Sequence, residues 1–204
     1  MLRQDGPLTD AVFAHQAQAL QAVQQPGVRL AVWERPELSA LSAQLAAQTA
    51  WPSLALDGEL PALEQALLAS ADPSLSPALH QDMLRLARAF AAVWPGQRLL
   101  LRLQEIHDDG CCRWHQDHMP LRLICTYAGK GTQWLPEPWG RRALQAPDLE
   151  YAAAQTLPTG AAALLRGCGF PGAAHQEEGV VHRSPRLAGS GGRRLVLRID
   201  TPPS

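Results

Sequence analysis

His115, Gln116 and Asp117 place an imidazole and a carboxylate two residues apart, and His182, in the run VVHRSP, follows Asp117 by 65 positions. Two imidazoles and one carboxylate make a facial ligand set for an iron(II) ion that keeps open positions for chemistry. In a strand, residues i and i+2 point to the same side, about 6 to 7 Å apart along the backbone. His115 and Asp117 can therefore lean toward one ion, while the third ligand must arrive from a distant strand. His182 is the candidate for it.

The elements that must position these residues follow from periodicity. After Pro95-Gly96, RLLLRLQEI alternates apolar and polar residues, LRLICTY is a second strand candidate, AAALLRG follows the turn signal Pro158-Thr159-Gly160, and RRLVLRID closes the chain. The first 95 residues are instead rich in Ala, Leu and Gln. Helical spacing runs through TDAVFAHQAQALQAVQQ, PELSALSAQLAAQTA and SPALHQDMLRLARAFAAVW, with VRLAVW (28–33) as a strand between the first two. Ser76-Pro77 is a helix start, and Pro36 suits a first helical position. PEPWG (136–140) and LAGSGG (187–192) read as loops. Helices first and strands afterwards predict an α+β protein, a β-sandwich or barrel backed by N-terminal helices. We expect one domain over 1–204, mainly helical in 1–95 and holding the metal-binding sheet in 96–204.

The order of signals is HxD, an apolar strand with a Gly-containing turn (LRLICTYAGKGTQWL), a P-x-G turn entering an apolar strand (LPTGAAALLRG), His182, then a Gly-rich turn and Arg193-Arg194. Over residues 98–200 this order resembles the 2-oxoglutarate/Fe(II)-dependent dioxygenases. The resemblance implies a double-stranded β-helix, a jelly-roll or cupin-like core, with Fe(II) held by His115, Asp117 and His182. It also implies an arginine beyond the last histidine that grips the distal carboxylate of 2-oxoglutarate, a task suited to a forked guanidinium. Arg194 stands 12 positions past His182, a longer spacing than usual, with the Gly-rich loop absorbing the excess. The strings CRWHQDHMPLRLICTYAGKGTQWL, VVHRSP and RRLVLRID are also similar to a bacterial domain-of-unknown-function family, number 1826 of that series.

Alternation sorts the remaining candidates. In the last strand Leu195, Leu197 and Ile199 share one face, and Arg194, Val196, Arg198 and Asp200 the other. If the apolar face packs on the helices, Arg194 and Arg198 point into the barrel and Arg193 points away. Surface ion pairs are the alternative for these arginines. In LRLICTY, Arg122 is a candidate second anion-binding group and Tyr127 a candidate hydrogen-bond partner for a co-substrate carboxylate, against a paired structural arginine and a half-buried core tyrosine. His118 reads as solvent-facing or as a neighbour of the ligands. His107 and His175 fall in loop-like sequence, His15 and His80 in predicted helices. Cys111-Cys112 lacks the spaced partner of a zinc site, and Trp114 and Trp134 flank the ligand region as core residues or pocket walls.

Composition narrows the function class. A net charge of -1 with 18% charged residues gives no basic stripe for nucleic acid, so a small-molecule ligand is expected. Four cysteines, two of them adjacent, read as reduced thiols, and MLRQDGPLTD has no basic-then-apolar leader pattern. No apolar run approaches the roughly 20 residues that cross a bilayer, and a cytoplasmic location is expected. The sequence holds no GxSxG, GxxxxGK[ST] or strand-linked GxGxxG. Two rivals stay open: Zn(II) alone on the same ligands, in a hydrolase or a zinc-handling protein, and a non-enzymatic binding module. Oligomeric state is open as well.

Overall fold

The computed structural model of the chain describes residues 10–70, 72, 74–96, 98–171 and 179–201. From the N-terminus come strand β1 (Ala11–Ala14), a 3-10 helix (Ala17–Gln24), β2 (Leu30–Trp33), and a 3-10 turn opened by Pro36 that leads into α1 (Ser39–Ala46). β3 (Leu54–Gly58), α2 (Leu60–Ala69) and α3 (Pro77–Val93) follow. The second half contributes β4 (Leu99–Ile106), β5 (Leu121–Ala128), β6 (Gln133–Leu135), α4 (Trp139–Gln145), β7 (Gln155–Thr156), β8 (Ala162–Arg166), β9 (Val181–Arg183) and β10 (Arg194–Asp200).

Two sheets form, a large one ordered β1-β2-β8-β5-β10-β4-β3 and a small one ordered β7-β6-β9. Among the described residues only β1 and β2 pair in parallel, and the other ladders are antiparallel. The architecture is the expected double-stranded β-helix with helices behind the large sheet. α3 shows why the helices sit there. Ser76 caps it by accepting from Leu79 N, Pro77 occupies its first turn, and Leu79, Met83, Leu86, Ala87 and Phe90 form one buried stripe. That stripe joins Leu101, Leu103, Leu123, Leu195, Leu197 and Ile199 in one apolar cluster. A second cluster fills the space between the sheets, with Ile124 and Val196 of the large sheet against Trp134 and Val180.

The N-terminal part departs from expectation. Residues 11–14 are a strand rather than the start of a helix, because Asp10 O accepts from Arg29 N and Leu30 N and brings AVFA alongside β2. The helical spacing survives only in the 3-10 segment, which buries Leu20, Ala22 and Val23. His15 consequently lies in a bend, while His80 is in α3 as expected. β3, α2 and α4 were not anticipated, and Trp139-Gly140 belong to α4 rather than to a loop. Residues 1–95 thus supply three of the seven strands of the large sheet, two at one edge and one at the other, besides bracing it.

Candidate metal centre

Backbone pairing builds the ligand cluster. His115 and His182 face each other across an antiparallel bridge, with His115 N donating to His182 O at 3.1 Å and His182 N to His115 O at 2.9 Å. Directly opposed residues share a face, so their rings meet with centroids 4.6 Å apart. Their neighbours turn outward: Trp114 is buried with Leu135, Ala143 and Val181, and the Arg183 guanidinium lies over its ring at 4.2 Å. Asp117 is fixed from behind, its carbonyl accepting from Cys168 N at 2.8 Å. A Cβ at Gly167 would stand 1.9 Å from Met119 O and 2.7 Å from Asp117 O, so this close approach of β8 to the HxD segment requires glycine.

The ligand atoms of His115, Asp117 and His182 lie within 4.8 Å of one another, the one such group among the described residues. Their hydrogen bonds prepare them for a cation. His115 Nδ1 faces Arg113 O at 2.8 Å and His182 Nδ1 faces Val180 O at 3.1 Å, which places the proton on Nδ1 and leaves each Nε2 lone pair available. Asp117 Oδ1 accepts from Arg122 NH1 at 2.6 Å; Oδ2, buried, has no hydrogen-bond partner and lies 3.5 Å from His182 Nε2. An orphaned carboxylate oxygen beside two imidazole lone pairs fits a divalent ion.

Burial drives the His182 imidazole down to about 4 against the pull of Asp117, with His115 adding to the fall. Its pKa when folded is therefore below its ordinary 6.5. Between these values the unfolded chain binds more protons, so stability rises with pH across the window. The metal-free protein is expected to keep this contribution in full above pH 6.5 and to lose it as pH falls toward 4. Melting temperature against pH checks it, and His182→Gln should flatten the slope.

The cluster opens on a cavity of about 130 Å³ between the sheets, lined by His115, His182, Arg122, Thr132, Arg194 and Arg198 among others. Leu195, Leu197 and Ile199 pack on the helical side, so Arg194 and Arg198 do face the cavity. Arg194 is 1% exposed. It donates to Ser184 Oγ at 3.0 Å, Thr126 Oγ1 at 3.1 Å and Thr132 Oγ1 at 2.9 Å; its Nε has no partner, and among the described residues it meets no carboxylate. Burial lowers its pKa to about 10, and it remains a cation at neutral pH. Ser184 and Thr132 had no signal in the sequence as its partners; Thr126 had one, since it alternates with Arg122 on the inner face of β5.

Two candidates have other duties. All of the Arg122 donors observed to bond go to carboxylates: NH1 to Asp117, and Nε and NH2 to Asp200 Oδ1 and Oδ2 at 2.6 and 3.1 Å. It holds Asp117 in place and is not a free anion receptor. Tyr127 is on the opposite face, fully buried, and donates to Asp82 Oδ2 at 2.7 Å beside the Arg35–Asp82 pair. It cannot reach the cavity through the sheet. Tyr127→Phe is expected to cost about 1 kcal/mol of stability, as chemical denaturation will read.

The other sequence candidates stand outside the cluster. His107 and Cys111 line the cavity without joining the ligand set, and His118 Nδ1 lies 3.6 Å from Cys168 Sγ. Trp134 packs between the sheets, and His175 falls outside the described residues. Among the described residues no helix is long and apolar enough to cross a membrane.

Comparison with solved structures places the fold. The dioxygenase for auxin oxidation from rice aligns with a TM-score of 0.53 at 14% identity, over 93% of this chain and 81% of the rice chain. A Pseudomonas putida prolyl-4-hydroxylase (TM-score 0.48, 11% identity, 91% and 97% covered) and the Arabidopsis thaliana dioxygenase for auxin oxidation 1, solved with 2-oxoglutarate (0.47, 10%, 93% and 91%), also match. No curated protein matches in sequence. The model of the family described as "Protein of unknown function (DUF1826)" matches residues 14–200, and the chain belongs to that family.

Proposed function

We propose that the chain is a non-haem Fe(II)- and 2-oxoglutarate-dependent dioxygenase acting on a small molecule, with His115, Asp117 and His182 as metal ligands and Arg194 as the residue that grips the distal carboxylate of the co-substrate. The observation that carries the reading is Arg194 itself. A guanidinium buried without a counter-charge is costly, and among the described residues only hydroxyls meet it. An anion entering from the cavity would supply the missing charge, and the ligand cluster lines that same cavity. A zinc site with metal-bound water gives Arg194 no task. The fold shared with the rice dioxygenase supports the same class.

Bound Fe(II) and 2-oxoglutarate would supply the oxidising chemistry. The chain's own residues bind, orient and exclude water. Nδ1-bonded imidazoles present Nε2, Arg122 keeps the Asp117 carboxylate aimed, and Arg194 with Ser184, Thr126 and Thr132 fixes one end of the co-substrate. The four free cysteines support a reducing, cytoplasmic compartment, and the large apolar cluster that joins the N-terminal helices to the sheet supports one domain.

Anaerobic titration with Fe(II), with and without 2-oxoglutarate, tests the proposal. A charge-transfer band that requires both and is absent in His115→Ala is the expected result. Stoichiometric zinc in freshly purified protein with no such band would replace it with the zinc reading.

A further inference from the structure

The inner face of the large sheet carries a second group of cations that the co-substrate does not satisfy. In the β10–β4 ladder Arg198 stands directly opposite Arg102. Leu101, Leu103, Leu197 and Ile199 pack on the helical core, so alternation puts both arginines on the cavity face. Like charges directly opposed across strands destabilise a sheet. On its other side Arg198 is opposite Ile124; its NH2 donates to the neutral Gln104 Oε1 at 2.9 Å, and its Nε is buried without a partner. Asp200 shares the face, but both its oxygens bind Arg122. Glu105, three residues beyond Arg102 on β4 and of opposite parity, pairs with Arg193. Arg102 is exposed and, among the described residues, meets no carboxylate.

We propose that Arg198 and Arg102 receive an anionic group, a carboxylate or a phosphate, of the primary substrate; as a substrate site it rests on the dioxygenase reading above. Two planar forks side by side suit the paired oxygens of such a group. The site is distinct from that of the co-substrate. Arg194 and Arg198 are four residues apart on one strand, about 13 Å along it, farther than a five-carbon diacid spans. Arg198 lines the cavity and Arg102 stands beside it at the surface, so the pair would hold the charged end of a substrate whose remainder reaches inward.

Calorimetric titration of inorganic phosphate, and separately of acetate, tests this on protein saturated with Mn(II) and 2-oxoglutarate and on metal-free protein. The wild type should bind at least one of them saturably. Arg198→Gln and Arg102→Gln should each weaken that binding about tenfold or more with 2-oxoglutarate affinity unchanged; Arg194→Gln should do the reverse. Lysine at either position should restore part of the anion binding. Arg102→Gln should also leave the melting temperature unchanged or higher, since it removes the cross-strand repulsion, whereas an arginine that merely braced the sheet would lower it. Equal binding by the wild type and both glutamine variants, or no saturable binding by the wild type, overturns the proposal. Failure of the dioxygenase reading looks different: no response to 2-oxoglutarate in the wild type, with arginine-dependent anion binding persisting in the metal-free protein.

Discussion

Arg194→Met is expected to weaken 2-oxoglutarate binding about 100-fold or more while leaving the ligand-free protein as stable as the wild type, or more so. Each charge-assisted hydrogen bond contributes roughly 1.5–3 kcal/mol, and a bidentate grip comprises two. Stability runs the other way because the guanidinium is buried among hydroxyls with no carboxylate to balance it. Replacing even a paired buried ion by apolar side chains of similar volume is often neutral or stabilising, by about 1–4 kcal/mol, and an ion without a partner has no pairing energy to lose. The hydroxyls of Thr126, Thr132 and Ser184 lose a donor and offset part of that gain. Co-substrate titration and thermal melts of one variant read both signs. A large loss of stability with co-substrate affinity intact would show that Arg194 braces the sheet and holds no ligand.

The second expected result separates the proposed metal ligands from one another. His115→Ala should abolish high-affinity metal binding with a stability change under about 1 kcal/mol, since its ring is partly exposed and its backbone bridge to His182 survives the substitution. Asp117→Ala should abolish metal binding too, but at a stability cost of about 3 kcal/mol, because it leaves the Arg122 NH1 without its carboxylate in a largely buried place. Arg122→Gln should weaken metal binding without abolishing it. Partners behind a ligand typically contribute 10–100-fold in metal affinity, so about that loss is expected with all three ligands still present. Metal titration with chemical denaturation distinguishes the three patterns, and equal metal affinity in His115→Ala and the wild type would dismiss the centre altogether.

Strands β4, β5, β8 and β10, and helix α3, were legible because each carries its pattern internally: alternation or a 3.6-residue stripe, bounded by Pro, Gly or a cap. The HxD motif and His182 were legible as chemistry. Their pairing is a property of the bridge between two distant segments, which no local pattern records. AVFA read as helix because its Ala-rich context favours one, and the ladder with β2 overrode that preference. Arg122 and Tyr127 show the same limit in the site. Their types suggested ligand binding, whereas their roles are decided by Asp200 and Asp82, which lie 78 and 45 residues away in sequence.

The last strand and the turn before it differ sharply in what inheritance can alter. Odd positions of β10 fill the core and even positions line the cavity, so losing or gaining one residue inside it would send guanidinium groups into the leucine layer and leucines toward His115 and His182. The preceding turn has no such parity. Asp109 clamps its start through Leu187 N and Ala188 N, and Gly189 and Gly191 at φ +74° and +64° have open space around their Cα atoms. Insertions and deletions can therefore accumulate there without touching the chemistry. The count of residues from histidine to arginine is free to drift among descendants of this fold, while the parity of the arginine within its strand is what selection must hold.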